Sequence, residues 1–561
     1  MKKIYITLIF IFIETTLFSQ AGILDSTFAE VGFVTTDPSG MGYGSSCNSV
    51  EVLNDGSILA CGYSTINLTP YTRAVVLVKY TADGDLDSSF GVSGIGFFSF
   101  PGILLTANGM ALHGSGKILV CGQEPDGNSF IVRFNFNGTV DSTFGDYGIS
   151  FPFSLTETII FRKIAIQNDG KILVAGDIIN PEATTWSDLM IARINFDGTP
   201  DSSFAGTGYT CIDGFSDIDH ANGLAIQNDG KIIVGGTGFK TGSDDIMITR
   251  LNTDGTPDIL FGFSGKNLID LKAVGKSDDY ASDLILQDDG KIILVGYTVQ
   301  EDGASPDYAI LRLYATGFLD TSFGVDGIVI INDYCSYVLN SVAIQTDGKI
   351  LGVGWEDCAP YSPGLIRLNA NGSVDSTFGE NGSAIITEYG PAFSVDIQEN
   401  NKIVIAGNSN IFSIARFLND NPPCSTAPTG LSADFLTSST AKLHWSADPD
   451  AIKYKIQYRK NTVTTWTNTS ATSNVKNLFS LESSTTYKYR VKTNCGAGVL
   501  SDWSSVATFT TLPLREGEEP GFSDDMLLSV YPNPSSGNFT LKFDDVLQDQ
   551  LVTISIKNLL G

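Results

Sequence analysis

The chain has 561 residues, with 62 acidic against 34 basic side chains and a formal net charge of −28. That balance argues against a nucleic-acid binder, because affinity for phosphate backbones rests on clustered Lys and Arg. It disfavours anionic membrane surfaces for the same reason, and leaves divalent cations and neutral glycans as compatible ligands.

Residues 1–20 carry Lys2 and Lys3, then an apolar run from Ile4 to Phe18 broken only by Glu14 and Thr residues, and end in Ser19-Gln20. This reads as a secretory signal peptide, too short and wrongly flanked for a membrane span. No cysteine follows it directly, and no later segment reaches ~18 unbroken apolar residues, so no lipid anchor and no transmembrane segment are expected. The expected destination is secreted or the outer cell surface.

From residue 22 the apolar positions fall in short β-branched runs such as Ile172-Leu173-Val174, and Gly (58) far outnumbers Pro (20), so the fold class is all-β. The tetrapeptide Asp-x-x-Phe recurs at Asp25, Asp87, Asp141, Asp201, Asp258, Asp320 and Asp375. A glycine follows each Asp by seven residues, and in the six copies with an upstream strand another glycine precedes it by three. Five residues before that second glycine stands a basic residue, Lys79, Arg133, Arg193, Arg250, Arg312 or Arg367, and Arg416 closes the last unit. Each unit reads as four strands. The first follows the fixed glycine, the second runs to a tight turn such as Asp229-Gly230, the third follows that turn, and the fourth holds the basic residue. Ser115-Gly116 and Asn400-Asn401 fill the turn in two units and tolerate its geometry. Four antiparallel strands repeated seven times predict a seven-bladed β-propeller over 22–420, whose closure shelters sheet edges; an open β-solenoid is the alternative.

Phrases such as Asn228-Asp229-Gly230-Lys231-Ile232-Ile233-Val234-Gly235-Gly236 and Arg193-Ile194-Asn195-Phe196-Asp197-Gly198 resemble the delta-60 β-propeller repeat. The resemblance implies a propeller and carries no established reaction.

Connections alternate between the two ends of an up-and-down blade. The turn after the second strand and the Asp-x-x-Phe stretch keep their lengths, so one end is uniform. Length variation gathers at the other, in stretches that include 63–72, 177–188, 297–307 and 356–363. Trp186, Asp188, His220, Tyr297, Asp307, Trp355 and Tyr361 are the candidate ligand residues of this end, as a sugar or peptide platform or as covers for the loop bases. The seven basic residues either line a channel or pair with the repeated Asp. Asp83, Asp85 and Asp87 alternate as Ca²⁺ ligands can, but no distal Glu completes a loop, so a solvated turn is the competing reading and no other cofactor is indicated.

Only three histidines exist, His113, His220 and His444, none in a metal or triad spacing; His220, placed in a variable loop, is the one to test as a ligand. Propeller glycosidases work through carboxylates, so an enzyme stays open, yet no sialidase-type Asp-box, phosphate loop or paired-carboxylate motif stands outside the repeat. Of eight cysteines, Cys335 and Cys358 flank one expected hairpin and Cys424 and Cys495 bracket the next domain, which makes both pairs candidate disulfides. Cys61 and Cys121 occupy equivalent strand positions and read as buried thiols.

Residues 424–512 turn Thr- and Ser-rich. Pro428, Leu431, Trp445, Tyr454, Tyr458, Leu481, Tyr487 as a tyrosine corner and Val491 resemble a fibronectin type III domain, which implies a seven-stranded sandwich. No Arg-Gly-Asp tripeptide is present, and a spacer role is the plainer expectation. Residues 513–526 form an acidic linker. In 527–561, Val530-Tyr531-Pro532-Asn533-Pro534 and the Gly537-Asn538-Phe539 that follows resemble the C-terminal sorting domain of type IX secretion substrates, a β-sandwich read by the secretion machinery. That pattern continues past Gly561, so a truncated copy is expected.

The functional expectation is a secreted or cell-surface, non-catalytic scaffold that binds a glycan or a surface protein through the variable end. A secreted hydrolase or lyase acting on polysaccharide or peptide, and a structural surface-layer protein, are the alternatives.

Overall fold

The computed structural model describes residues 21–513 apart from 43, 126, 154–156, 180–186, 214–218, 241, 272–276, 301–304, 332–336, 357–361, 386–389, 399–400, 409, 420–426, 448–450, 452 and 495–499, together with strands Leu528–Tyr531 and Thr540–Phe543. The chain divides into two compact units, 1–422 and 423–561.

In the first unit, the described strands form seven four-stranded antiparallel sheets, numbered I to VII here in chain order. Sheet IV is representative: His220–Ile226 lies innermost, followed by Ile232–Lys240, Ser243–Leu251 and, outermost, Lys266–Ile269. The inner strands are Ser45–Val52 in sheet I, Thr106–His113 in II, Thr158–Ile166 in III, Ser277–Leu286 in V, Tyr337–Ile344 in VI and Ala392–Ile397 in VII. Each packs beside the inner strands of both neighbouring sheets, and that of VII packs beside that of I. The early strand Phe33–Thr36 joins sheet VII, with Phe33 opposite Ala415 and Thr36 opposite Phe412. The first and last strands of this unit are thus woven into one sheet, so that the described inner strands follow one another without a break.

The sheets correct the expected division of each unit. The strand after the fixed glycine does not open a new sheet; it is the outer strand of the sheet already begun. Backbone bonds explain this. Asp87 N–H donates to the carbonyl of Lys79 and Lys79 N–H to that of Gly94, so the Asp-x-x-Phe turn folds the chain back along the basic strand. Several expected loops are likewise strand extensions: Ile58–Leu68 and Tyr71–Tyr80 form one long hairpin through most of 63–72.

The core lies between sheets. Ile58, Ala60, Val76 and Val78 of sheet I pack with Val404, Ala406, Phe412 and Ile414 of sheet VII, all fully buried. Because both faces of each blade are covered, the middle strands are near-continuous apolar runs rather than alternating ones.

In the second unit, Ser432–Asp434, Ala441–His444 and Val475–Leu478 form one sheet, and Thr467–Ala471, Lys453–Lys460, Thr486–Asn494 and Ala507–Thr510 form another. Trp445, Tyr454, Ile456, Tyr489 and Val491 fill the space between them. The Tyr487 hydroxyl accepts from Glu482 N–H at 2.9 Å, which pins the corner before that strand. Leu528–Tyr531 pairs antiparallel with Thr540–Phe543; the rest of the sorting-domain resemblance lies outside the described residues.

Candidate functional site

The uniform end is a ring of buried ion pairs. Arg Nε donates to the repeat carboxylate in six sheets, at 2.8 Å for Arg133–Asp141, 2.6 Å for Arg193–Asp201, 2.8 Å for Arg250–Asp258 and Arg312–Asp320, 2.9 Å for Arg367–Asp375 and 2.7 Å for Arg416–Asp25. The guanidinium also covers the buried Phe of the same tetrapeptide, 4.6 Å away for Arg133 over Phe144 and 4.5 Å for Arg367 over Phe378. Its Nη1 reaches forward to the next unit, as from Arg250 to the carbonyl of Ala315 at 2.6 Å and from Arg312 to that of Ala370 at 2.6 Å. A lysine after the tight turn adds a second cation, as in Lys231–Asp258 at 2.8 Å and Lys349–Asp375 at 3.0 Å. Sheet I departs in concert: Lys79 replaces Arg and meets Asp87 at 2.8 Å, and Ser57 stands where the turn lysine would be.

Burial opposes ionisation of Asp25, but hydrogen bonds from Lys402 and Thr27 and the charge of Arg416 hold its carboxyl at about 2. The six arginines therefore brace sheet to sheet, and all seven basic side chains pair with the repeated Asp. The glycine three residues before each Asp makes room for this joint. At Gly255, with φ +87°, a Cβ would lie 2.9 Å from the Phe204 ring.

The opposite end is built around a second, unanticipated element. Every inner strand carries a β-bulge at the same position, and the residues placed there are Asn48, Asn108, Arg162, Asn222, Ser282, Asn340 and Phe393. The bulge pushes an inner-strand carbonyl over a glycine of the second strand of the sheet, where any Cβ would sit 1.7 Å from it at Gly176 and Gly236. Each asparagine clasps the next sheet. Nδ2 donates to Ala107 O from Asn48 (2.7 Å), to Phe161 O from Asn108 (2.7 Å), to Ala281 O from Asn222 (2.9 Å) and to Ala392 O from Asn340 (2.8 Å). These bonds satisfy carbonyls on an inner edge that has no strand partner. A sequence signal existed: the bulged residue stands seven places before the first turn residue in every unit, and four of the seven are Asn.

The bulged residues surround a cavity of about 560 Å³, lined also by Lys163, His220, Thr237, Tyr280, Tyr297 and Val338. Where Arg162 interrupts the asparagine ring, its Nε donates to Asp177 Oδ2 at 2.9 Å, and His220 Nδ1 lies 2.9 Å from the same oxygen. Asp177 is fully buried; burial raises its pKa, but the His220 hydrogen bond and the Arg162 charge outweigh that and hold the carboxyl below its ordinary value. Lys163 reaches from sheet III to Asp283 of sheet V at 2.8 Å. Tyr280 and Tyr297 stack with centroids 4.7 Å apart and planes 21° apart, and the Tyr280 hydroxyl donates to Asp244 at 2.6 Å. The hydroxyl of Thr237, 1% exposed, has no hydrogen-bond partner among the described residues.

The cavity therefore unites His220 and Tyr297 from the sequence candidates and adds Arg162, Lys163, Asn222, Thr237 and Tyr280. His220 opens the inner strand of sheet IV instead of lying in a loop, and Tyr297 lies inside strand Ile292–Gln300. Asp307 begins strand Asp307–Leu313 and Trp355 lies within Ile350–Glu356; neither lines the cavity. Trp186 and Tyr361 lie outside the described residues, as do Cys335, Cys358, Cys424 and Cys495. Cys61 and Cys121 are buried free thiols, and burial pushes Cys121 up to about 12.

Asp188 belongs to a different grouping. Its carboxylate lies with those of Asp213 and Asp219, all ligand oxygens within 4.8 Å, and Asp245, Asp270 and Asp279 repeat the arrangement one sheet later. Both trios occupy the same repeat positions and could offer oxygens to a divalent cation. The Asp83, Asp85 and Asp87 series forms no such grouping among the described residues, because Asp87 is engaged by Lys79. The His113 ring lies 4.4 Å from that of Phe196 in the next unit, tilted by 35°, and His444 Nε2 lies 2.8 Å from Asp434.

Six segments, 53–90, 113–144, 167–204, 227–261, 287–323 and 345–378, match the Domain of unknown function (DUF5122) beta-propeller family, and 426–510 match the fibronectin type III domain. No curated protein matches the chain. Among solved structures, the WD40 propeller domain of Doa1 is similar at 12% identity over 69% of this chain and 97% of that one, with a TM-score of 0.35. The fn3 domain of human contactin 1 is similar at 22% identity over 17% of this chain and 84% of that one, with a TM-score of 0.16. The FN5 domain of Drosophila Lar is similar at 17% identity over 16% and 97%, with a TM-score of 0.14. The chain is all-β, and carries β-propeller repeats of the DUF5122 family in four-stranded antiparallel blades together with a fibronectin type III domain.

Proposed function

We propose that the chain is an exported, non-catalytic recognition protein: a seven-bladed propeller that takes a neutral sugar of a glycan into the axial cavity at its irregular end, with the fibronectin module as spacer and the C-terminal segment as the sorting element. The observation that carries this reading is the pairing of a stacked Tyr280–Tyr297 wall with the unpartnered, buried Thr237 hydroxyl in one cavity. An aromatic face takes the apolar side of a sugar ring, and convergent amides and hydroxyls take its oxygens. Charge favours an uncharged ligand, because Arg162 is matched by Asp177 and Lys163 by Asp283. A cavity of about 560 Å³ lies inside the range of roughly 300–1,000 Å³ usual for small-ligand sites.

The test is a glycan array probed with the purified chain and with Tyr280→Ala and Tyr297→Ala. Binding to neutral glycans that both substitutions abolish supports the reading; an unbound array, or binding indifferent to both, sinks it. One observation favours a hydrolase instead. Glu51, on the inner strand of sheet I, is held at about 7 by burial and by the neighbouring charge of Asp396, in reach of a general acid's task. Turnover of a polysaccharide panel that Glu51→Gln removes would decide for that reading.

A further inference from the structure

The fibronectin unit carries charge of the opposite sign to the chain. Residues 427–512 hold nine Lys or Arg and five Asp or Glu, a net of +4, within a protein of −28. Most of the cations stand on one sheet. Lys453, Lys455 and Arg459 alternate outward along Lys453–Lys460, and Lys488, Arg490 and Lys492 along Thr486–Asn494, while Tyr454, Ile456, Tyr489 and Val491 point into the core. The register places Lys455 directly opposite Lys492 and Arg459 opposite Lys488. Like charges so placed destabilise a sheet. Among the described residues, none of these six side chains makes an ion pair with a carboxylate of the chain, whereas Lys460 pairs with Glu482.

Two tryptophans order the row. Arg459 and Arg490 each lie 4.7 Å from the Trp466 ring, and Arg490 and Lys492 lie 4.6 and 4.8 Å from Trp503. Arg490 is fixed further by two hydrogen bonds to Gln457 Oε1, at 2.9 and 2.7 Å. A trough of about 580 Å³ runs beside this row, lined by Lys453, Lys455, Lys492 and Trp503 and by the polar Asn468, Thr469 and Ser470.

We infer that this sheet face is a docking surface for a linear acidic polysaccharide, a second binding function independent of the propeller cavity. Outward cations on alternate residues of two paired strands stand roughly 6.6–6.8 Å apart along each strand and form a double row, which a polymer bearing carboxylates along its length can neutralise at several points. The hydroxyl and amide groups of the trough suit the sugar hydroxyls between them. Nucleic acid fits less well. Its charges come every ~1.7 Å of duplex, far more densely than the cations of this row, and the tryptophan faces that could stack on bases are occupied by guanidinium and ammonium groups.

The test measures binding of the full chain to polygalacturonate by calorimetry at low and high salt, with dextran and duplex DNA as the other two arms. Polygalacturonate should bind, dextran and DNA should not compete, and affinity should fall as salt screens the pairs. Lys455→Glu with Lys492→Glu should weaken binding about tenfold or more, Lys455→Arg with Lys492→Arg should retain it, and Tyr297→Ala in the propeller should leave it unchanged. Melting curves keep the reversal variant interpretable, and the exposed Lys453→Gln, expected to lower affinity about two- to threefold, serves if it fails to fold. Absence of polygalacturonate binding, preference for DNA, self-association in its place, or equal binding by the folded reversal variant overturns the proposal.

Discussion

The two ends of the propeller solve the same problem with different chemistry. At the uniform end, sheets are joined by charge: an Arg, one or two partners on a buried Asp, and a Phe beneath the guanidinium. At the irregular end they are joined by neutral amides, Asn to backbone carbonyl, and three of the seven positions give up the clasp. Arg162, Ser282 and Phe393 stand where the clasp would be, and the cavity collects its charged side chains and its stacked tyrosines on the arc between sheets III and V. The difference teaches where variation is tolerable. Removing one member of a buried ion pair strands a charge, whereas removing an amide clasp leaves one carbonyl to water.

The largest effect is expected at Arg367, which is fully buried against Asp375. Arg367→Ala should cost about 3–5 kcal/mol in a denaturant melt of the propeller; a loss below about 1 kcal/mol, the range of surface pairs, would break the contrast. Next comes the joint itself. Gly255→Ala puts a Cβ against Phe204 at a positive φ, and should cost roughly 1–3 kcal/mol by the same measurement.

A pH titration then separates the repeat carboxylates from Glu51 by sign. The repeat carboxylates, such as Asp25 and Asp87 at about 2, contribute stability that is complete above their unfolded pKa near 4 and is lost as pH falls through about 2. Glu51 is raised to about 7, so its contribution is complete below its unfolded value of 4.5 and is lost as pH rises through 7. Glu51→Gln should narrow the stability gap between pH 5 and pH 8 by roughly 1–2 kcal/mol; an unchanged gap would show that Glu51 is not held neutral. The smallest effect belongs to the clasp: Asn222→Ala should cost roughly 0.5–1.5 kcal/mol, and a loss matching Arg367→Ala would erase the distinction.

How much of this was legible follows the same division. The Asp, Phe, Gly and Arg positions recur at fixed spacing because the backbone there is rigid, so the repeat disclosed the all-β sheets and their turns. The strand allotment was not legible, since nothing in the order of four strands says which turn closes a sheet; the backbone bonds of Lys79 to Asp87 and Gly94 decide it. The cavity was half hidden. His220 and Tyr297 drew notice as a rare residue and an aromatic, but their register relative to the bulge, and the reach of Lys163 across to Asp283, depend on inter-sheet geometry. The basic sheet face was missed because its cations are diluted in a chain of −28 and alternate along two strands more than 25 positions apart.

The most direct measurement pairs glycan binding with thermal unfolding for two variants, Tyr297→Ala and Arg367→Ala. The account predicts a crossed result, with Tyr297→Ala losing the neutral glycan at a nearly unchanged midpoint, and Arg367→Ala melting earlier while still binding at temperatures where it is folded. A Tyr297→Ala protein that binds as the wild type does, or whose loss of binding only tracks a loss of fold, would contradict it.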